Sequence, residues 1–584
     1  MHMTNRFRLI AGGVAIALGA VACAPDDQLA VTNLNSPDAG RALARPSDVE
    51  TFIAGSYASF WSATMGGSND NVNNQMGTMS LENGSGLANF AMGPRGAIPR
   101  SRIINSRGNS VATGNLKEYN ALSRAAAAAA VGLNRISGTF TLGAVSQDLR
   151  ARAFGNMVMG LALGYQAMIY DSGSVVTSTA APVNSYIPPI VGADSVFRVA
   201  MLLLDSAITL ANNPAATAAV TGFPLPATWM PGNAFSAAQF VRYVRSQKAK
   251  IRAGMARTPA DRTTPPGPGC AFCVDWALVL ADAQNGITAD LTLTTNTTTS
   301  FSIAWPIQGY LYNTWHQVVP LIAGFADTSG AFASWLSVPM VSRGGTAAPP
   351  FVIQTPDNRF PSGTTLSAQI VSSGGGCTIA TCSQSNMVPA TVVGVIGGKP
   401  YIRARPSGEN AWDGTFTNSP YDYYRMRVWY NPAPGLNRNG PFPLFLLAEN
   451  NALLAEAAIR TGAFALATAA IDVSRVAAGL PSVAGIADLT TPVPGGTACV
   501  PRTPTGPGNA LQCGNLLEAM KWEKRMETWF ATYGGWFLDS RGWGDLPIGT
   551  SLQWPVPYQE LDTRFKASYN RPTSEVAGTS TYGY

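Results

Sequence analysis

The stretch LLEAMKWEKRMETWFATYGGWFLDSRGWGDLP, residues 516–547, is the segment that decides the fold. Its first half repeats apolar residues at helical spacing, and we predict a helix over residues 514–533 with one buried face. Basic side chains are interleaved with that face. Trp522 and Trp529 are predicted to be core residues, and the whole buried face consists of Trp522, Met526, Trp529, Phe530 and Tyr533.

Two carboxylates of this helix allow two interpretations. Glu523 and Glu527 are one helical turn apart, so both can face the same side. A glycoside hydrolase needs two carboxylates about 5–10 Å apart, which makes a catalytic pair one hypothesis. The neighbouring Lys and Arg residues favour the other hypothesis, that both are ion-paired, with Arg541 as a candidate partner.

Other catalytic motifs are missing from the sequence. It contains no G-x-S-x-G turn, no P-loop and no dinucleotide-binding fingerprint that opens a helix after a strand. His316 is the only histidine beyond the N-terminal segment, so a Ser–His–Asp arrangement would have to use it. The sequence therefore predicts binding rather than catalysis, and no cofactor or metal is predicted.

Helical periodicity continues on the N-terminal side of this stretch. Consecutive pairs of helices of similar length are typical of helical-hairpin repeats of the tetratricopeptide kind, whose period is about 34 residues. Residues 66–114 are predicted to be loop with short helical turns. The other predicted helices cover residues 46–60, 115–136, 146–171, 194–212, 235–257, 274–286, 442–461 and 463–479.

One region interrupts the helical pattern. Residues 287–305 alternate as a strand does, and residues 391–406 indicate a second strand region. We therefore predict a mainly α fold in which a tetratricopeptide-like helical-pair scaffold carries an inserted loop and short-strand region for ligand binding. The scaffold would comprise residues 46–286 and 441–565 of a single domain, 46–565, with the insertion at 287–440 and a C-terminal tail at 566–584.

The N-terminus has the pattern of a secretory signal. Arg6 and Arg8 precede the apolar run LIAGGVAIALGAV, Leu9 to Val21. This run is too short to cross a bilayer of roughly 30 Å, which takes about 20 apolar residues. We predict that residues 1–22 are removed.

Cleavage after Ala22 makes Cys23 the first mature residue, as the lipidation of a bacterial lipoprotein requires. Ala20 to Ala22 also fit the small-residue pattern of ordinary signal cleavage at the same bond. Both interpretations stay open at this point. If Cys23 is acylated, the lipid is the only membrane contact required, and residues 23–45 form the tether.

The remaining cysteines form an even set. The chain has seven cysteines, and an odd one in an exported protein needs its own explanation, which lipidation of Cys23 supplies. A zinc site at Cys270 and Cys273 is the alternative, but histidine is scarce and the compartment oxidises thiols. We predict disulfides, with the connectivity open, among three pairs close in sequence: Cys270 and Cys273, Cys377 and Cys382, and Cys499 and Cys513.

Overall charge gives little support to nucleic-acid binding. The formal net charge of the 584 residues is +6, and no run of Lys and Arg occurs. Charged residues make up 12% of the chain, where about 25% is typical, so uncharged polar residues must cover much of the surface.

Four C-terminal segments, 443–462, 470–481, 516–547 and 554–564, together resemble the SusD/RagB family of nutrient-uptake outer-membrane lipoproteins. The N-terminal half agrees in its start at Asn33–Pro37 and in the helix near 150–171. The residues that match the family's motifs are Glu456, Ser474, Arg475, Gly479, Glu523, Arg525, Glu527, Phe530, Asp539, Arg541, Pro555, Pro557, Glu560 and Leu561.

This resemblance implies both a fold and a function. The fold would have four tetratricopeptide-like helix pairs and a variable ligand-binding portion. The protein would be a non-catalytic lid, held at the outer membrane by a lipid on Cys23 and exposed at the cell surface, over a TonB-dependent SusC-like transporter. Its cargo would be an oligosaccharide or, less often, a peptide.

Aromatic side chains are the predicted binding chemistry. The apolar faces of sugar rings stack on Trp or Tyr, while polar side chains fix the hydroxyl groups. For any one of these residues the alternative is packing under a long loop. The candidates are Trp61, Asn73, Asn74, Trp305, Tyr310, Tyr312, Trp315, Trp335, Trp412 and Tyr423.

Two other functions stay open from the sequence. One is a surface-anchored glycoside hydrolase that uses Glu523 and Glu527. The other is a scaffold whose helical repeat holds another protein rather than a glycan.

Overall fold

A computed structural model of the chain is mainly helical, as predicted. Residues 50–584 form one compact unit, and residues 1–49 form another, of which 43–49 are described. The signal, Cys23 and most of the tether lie outside the described residues. The structure describes residues 43–66, 71–85, 92–97, 100–178, 187–296, 298–303, 316–339, 342–343, 351–373, 401–404, 419–423, 425, 439–505, 510–572 and 582.

The predicted long helices are confirmed, with boundaries that differ by a few residues. Residues 66–114 contain short helices, as expected. In chain order the helices are α1 Pro46–Thr64, α2 Val72–Met79, α3 Met92–Gly96, α4 Gly114–Arg135, α5 Val145–Ile169, α6 Ala193–Ala211, α7 Ala237–Gly254, α8 Pro259–Thr263, α9 Trp276–Gln284, α10 Pro320–Ala323, α11 Ala331–Ser337, α12 Leu366–Ser372, α13 Leu447–Arg460, α14 Phe464–Ala477, α15 Leu516–Thr528, α16 Gly535–Trp543 and α17 Tyr558–Thr563.

Short strands pair into two-stranded antiparallel sheets. The strands are β1 Gly84–Ser85, β2 Ser172–Ser174, β3 Ile190–Gly192, β4 Leu291–Thr295, β5 His316–Gln317, β6 Ile402–Ala404, β7 Tyr421–Tyr423, β8 Gly440–Phe445, β9 Arg502–Pro504 and β10 Leu511–Cys513. Among the described residues the pairs are β1 with β5, β2 with β3, β4 with β8, β6 with β7 and β9 with β10. β4 and β6 confirm strands in the two predicted regions.

The predicted helix 442–461 is wrong at its start, where β8 precedes α13. Pro441 and Pro443 explain the difference, because proline lacks the backbone N–H that a helix interior needs. They lie opposite Thr294 and Thr292 of β4. The helix begins only at Leu447, whose N–H donates a hydrogen bond of 2.7 Å to a carboxylate oxygen of Asp290.

Helix α5 packs against three neighbouring helices, α4, α6 and α7. Glycines at two positions of α5 allow α4 and α6 to pack closely against it. A Cβ atom on Gly155 would lie 2.8 Å from the side chain of Leu133 in α4, and one on Gly160 would lie 2.7 Å from Leu204 in α6. A larger residue at either position would push the helices apart, since protein interiors are close-packed.

The N-terminal and C-terminal parts of the scaffold are continuous in space. α7 packs against α9, α9 against α13, and α13 against both α14 and α15. The β4–β8 pair joins the two ends of the region that interrupts the helices. The chain therefore leaves the helical scaffold and returns to it at neighbouring points.

Candidate functional site

Glu523 and Glu527 of α15 lie in a buried ion-pair network. Nη1 of Arg359 donates hydrogen bonds to Oε2 of Glu523 at 2.8 Å and to Oε1 of Glu527 at 3.1 Å. Asp357 also accepts from Arg359, at 2.7 Å. Burial lowers the pKa of Arg359, but the surrounding carboxylates reverse this effect and hold it well above its ordinary value. The predicted ion pairing of both glutamates is confirmed.

The region between β4 and β8 supplies more of the network. Arg425 donates to Oε2 of Glu527 at 3.0 Å, and the Tyr401 hydroxyl donates to the same oxygen at 3.1 Å. Nη2 of Arg359 donates to Oε1 of Glu523 at 3.2 Å, so all four oxygens of the two glutamates accept hydrogen bonds. A cavity of about 80 Å³ between α13, α14 and α15 reaches them, with mostly apolar walls.

A second branch of the network joins α8, α13, α15 and α16. The fully buried guanidinium of Arg262 donates to both carboxylate oxygens of Glu456 at 2.6 Å and to Asp539 at 2.8 Å. Lys524 lies 2.7 Å from the other oxygen of Asp539. We use the term ion-pair network for both branches together: Arg262, Asp357, Arg359, Arg425, Glu456, Glu523, Lys524, Glu527 and Asp539.

Arg541 is not the partner of Glu523 or Glu527, so that expectation is wrong. Its guanidinium donates to backbone carbonyls at the C-terminal ends of α5 and α7, including Met168 at 2.7 Å and Gly254 at 2.6 Å. The last carbonyls of a helix lack partners within the helix, and the arginine satisfies them. Burial, reinforced by the charge of nearby Arg257, lowers the pKa of Arg541 well below its ordinary value.

Three predicted ligand-binding residues near α1 and α2 are buried. Trp61 is 1% exposed, and its indole N–H donates to the carbonyl of Ser302 at 2.7 Å. Oδ1 of Asn73 accepts from the N–H of Gly534 at 2.9 Å, and Asn74 is also buried. The structure gives Trp61 and Asn73 an identified hydrogen-bond partner, and the role of all three residues in ligand binding stays a prediction.

Two predicted residues lie in the region between β4 and β8. Trp335 is buried among aromatic rings, with its centroid 6.2 Å from Phe332, and the guanidinium of Arg343 lies over its ring. Tyr423 packs against the core residue Trp529, with their ring centroids 4.9 Å apart. Their binding roles also stay predictions, and five other candidates lie outside the described residues: Trp305, Tyr310, Tyr312, Trp315 and Trp412.

Described residues on either side of 304–315 have identified partners. Ser302, just before it, accepts the hydrogen bond from Trp61. β5, which starts at His316, pairs with β1, so Ser85 lies opposite His316.

A polar cavity lies at the same end of α1 as Trp61. Its volume is about 310 Å³, and it opens between α1 and α4. Its lining residues were not found from the sequence, although Lys117, Asn120 and Arg124 follow the i, i+3, i+7 spacing of one helix face, which was the available signal. We call it the α1–α4 pocket, lined by Ser62, Ala63, Gly66, Lys117, Glu118, Asn120, Ala121 and Arg124.

Two buried carboxyl groups, those of Glu118 and Glu82, accept hydrogen bonds from backbone N–H groups of other parts of the chain. Oε1 of Glu118 accepts from the N–H of Asn73 at 3.0 Å, and burial raises the pKa of Glu118 to about 7. Oε1 of Glu82 accepts from the N–H of Phe530 at 2.9 Å, and burial raises the pKa of Glu82 to about 8. Phe530 has a left-handed backbone (φ 52°), which this contact helps to hold.

Two predicted disulfides are confirmed. Cys270 bonds to Cys273, and Cys499 bonds to Cys513. Cys377 and Cys382 lie outside the described residues. The first disulfide closes a loop just before α9, and the second fixes the segment that leads into α15.

No helix in the described part of the chain has the length and apolar character needed to cross a membrane.

Solved structures of SusD-like proteins share the fold. A SusD superfamily protein from Bacteroides vulgatus aligns over 89% of this chain and 97% of its own, with a TM-score of 0.50 and 11% sequence identity. A SusD homologue from Parabacteroides distasonis aligns over 86% of each chain, with a TM-score of 0.49 and 12% identity.

No protein-family model matches the chain. No curated protein matches it either. The fold is nevertheless similar to that of the SusD superfamily protein from Bacteroides vulgatus, as the sequence resemblance implied.

Proposed function

We propose that this chain is a lipid-anchored outer-membrane substrate-binding subunit of the SusD/RagB kind. It captures oligosaccharides, or peptides, and delivers them to a TonB-dependent SusC-like transporter. The observation that carries the proposal is the SusD fold, which extends over 89% of the chain. Anchoring, cargo and partner are extensions of that observation, and each has its own test.

The α1–α4 pocket is the best candidate for a place where ligand chemistry converges. Lys117, Asn120 and Arg124 are exposed at its rim and offer hydrogen-bond donors. Ser302, which precedes the predicted aromatic residues of this region in the sequence, accepts a hydrogen bond from Trp61 near the same end of α1. Rings that stack on sugar faces and polar groups that fix hydroxyls are the usual components of such a site.

Binding without catalysis fits the geometry at Glu523 and Glu527. All four of their carboxylate oxygens accept hydrogen bonds from Arg359, Arg425 or Tyr401. A catalytic pair needs one carboxyl group to donate a proton to the leaving group. Burial raises the pKa of Glu523, and the cation of Arg359 limits that rise without reversing it.

The first experiment measures ligand binding and turnover together. Mature protein is titrated calorimetrically with neutral and acidic oligosaccharides and with peptides, and each mixture is assayed for released reducing sugar. We expect saturable binding of at least one class and no release. Sugar release that disappears in Glu523→Gln would establish the hydrolase instead. Absence of binding to every class, with co-purification of a protein other than a transporter, would establish the scaffold.

A second experiment tests the anchor and the partner. Mass spectrometry of the mature N-terminus should show acyl chains on Cys23, and Cys23→Ser should release the protein from the outer-membrane fraction. An unmodified Cys23 thiol in the mature protein would overturn the anchor. A TonB-dependent receptor encoded beside this chain should co-purify with it, and its failure to do so would contradict the lid role.

A further inference from the structure

The α1–α4 pocket carries positive charge at its rim. Lys117 and Arg124 are both exposed and both line the pocket. Residues seven apart on a helix lie on one face, about 10.5 Å apart along its axis, so the two cations follow the same side of α4. Among the described residues, Arg124 has no hydrogen-bond or ion-pair partner. Its guanidinium is therefore available to a ligand.

The carboxyl group of the pocket does not cancel this charge. Of the described lining residues Glu118 alone is acidic, and it is 1% exposed. Its Oε1 accepts from the N–H of Asn73, in the first turn of α2, at 3.0 Å, so the carboxyl group is directed at the positive end of that helix. Burial also raises the pKa of Glu118 to about 7, so part of the population is uncharged near neutral pH. The exposed charge of the pocket is thus positive.

The other walls are small or polar. Ala63, Gly66 and Ala121 leave space, and none of the described lining residues has an apolar side chain larger than that of alanine. Asn120 lies between the two cations on the helix face and offers an amide donor and acceptor, while Ser62 offers a hydroxyl. The volume of about 310 Å³ is at the lower end of the range of roughly 300–1,000 Å³ for small-molecule sites. Such walls suit a ligand rich in hydroxyl groups better than an apolar peptide side chain.

We propose that the α1–α4 pocket selects oligosaccharides that carry an acid group, either a carboxylate or a sulfate, over neutral oligosaccharides and over peptides. This inference rests on the proposed function, to which it adds the charge of the ligand. A guanidinium presents a fork of N–H donors that fits a carboxylate, and an ammonium adds a point charge. A concave site lined by charge of one sign also concentrates ligands of the opposite sign.

The experiment compares acidic sugars with neutral counterparts of the same backbone. Mature full-length protein is titrated calorimetrically with tetragalacturonate and its methyl ester, and with a sulfated carrageenan tetrasaccharide and its desulfated form. The two pairs distinguish a carboxylate from a sulfate. We expect at least one acid to bind about tenfold more tightly than its neutral counterpart at low salt. This preference should nearly disappear at about 1 M salt, where charges more than about 3 Å apart are screened.

Variants of the rim test whether the pocket causes the preference. Lys117→Gln combined with Arg124→Gln should bring the acidic and neutral forms to within about twofold of each other. Arg124→Lys keeps the charge and should retain most of the preference. Arg198→Gln is the matched control, since this arginine is exposed on α6, and it should leave the preference unchanged. The melting temperature should be the same in all variants, as is usual for surface changes.

The outcomes distinguish this inference from the proposed function. If neutral sugars bind as tightly as acidic ones, the chain remains a sugar-binding subunit and the selection by charge is wrong. An acid preference that persists in Lys117→Gln with Arg124→Gln would place the acid group outside the pocket and overturn the inference. Tighter binding of hexaglutamate than of either acidic sugar would overturn the sugar class. Absence of binding to every sugar and peptide would overturn the proposed function together with this inference.

Discussion

The ion-pair network and the α1–α4 pocket both contain clusters of charged residues, but the charges are used differently. In the network, Arg359 and Glu523 are buried and paired with each other. In the pocket, Lys117 and Arg124 are exposed at the rim of a cavity. The motifs that resemble a known family contribute to the network, whereas the pocket has no such motif. The charges of the network stabilise the fold, whereas those at the pocket rim are exposed to solvent.

The largest effect should come from breaking the network at its centre. Arg359→Met leaves Asp357, Glu523 and Glu527 buried without their shared cation, and removal of one partner from a buried ion pair costs about 3–5 kcal/mol. The free energy of unfolding, measured in urea, should fall by at least that amount. Arg198→Met is the control, because its pair with Asp194 is solvent-exposed and should contribute less than about 1 kcal/mol. If the free energy of unfolding fell equally in the two variants, the buried ion pairs of the network would not stabilise the fold more than an exposed pair does.

A comparable effect should appear as a pH dependence at Glu82. Its pKa is raised from 4.5 to about 8 by burial, so the folded chain retains a proton that the unfolded chain has lost. The stabilisation is full below pH 4.5 and is lost as pH rises through 8. A tenfold change in proton affinity corresponds to about 1.4 kcal/mol, so the pKa difference between the folded and unfolded chain gives an effect of a few kcal/mol.

Glu82→Gln keeps the oxygen that accepts from Phe530 but cannot titrate. The melting temperature, measured at several pH values between 5 and 9, should therefore fall less steeply with rising pH in the variant than in the wild type. Glu118, whose pKa is raised to about 7, gives a remaining slope of the same sign. If the melting temperatures of the two proteins changed with pH in parallel, Glu82 would not retain its proton in the folded chain.

The α1–α4 pocket should respond in affinity rather than in stability. Arg124→Ala removes an exposed cation from the rim, and we expect about tenfold weaker binding of the best oligosaccharide or peptide, or about 1.4 kcal/mol. The free energy of unfolding should change by less than about 0.5 kcal/mol, as is usual for surface changes. Arg198→Ala, on an exposed face of α6, should change neither quantity. Unchanged affinity in Arg124→Ala would place the ligand elsewhere.

Local pattern was sufficient for much of the fold. The spacing of Trp522 and Met526 predicted a helix here, and α15 is that helix. It ends at Thr528, five residues before the predicted end, and every residue from Ala519 to Thr528 is buried, so the predicted single buried face is wrong. The same reasoning failed at Gly440–Phe445, where two prolines and a partner strand far away in sequence override the apolar content. Pairing between distant strands leaves little trace in either sequence alone.

The partners of buried charges were the least predictable feature. Glu523 and Glu527 were expected to be ion-paired, but Arg359 lies 164 and 168 residues away from them in a region without periodicity. Arg541, close in sequence, instead binds helix-end carbonyls. The residues of the α1–α4 pocket likewise depend on contacts between elements. Such contacts follow from packing, which single-sequence periodicity does not encode.

The smallest predicted difference concerns the two described disulfides, and it tests whether cross-links or ion pairs contribute more to the stability of the helical scaffold. Cys270 and Cys273 are 3 residues apart, whereas Cys499 and Cys513 are 14 apart, so the second bond restricts the unfolded chain more. Loop-closure entropy gives about 2 kcal/mol for the short loop and about 3 kcal/mol for the longer one. Replacing both cysteines of a pair with serine should therefore lower the free energy of unfolding by about 1 kcal/mol more at Cys499 and Cys513. Both losses should be no larger than that of Arg359→Met. A loss above that of Arg359→Met for either pair would mean that covalent bonds, rather than the ion-pair network, dominate the stability of this region.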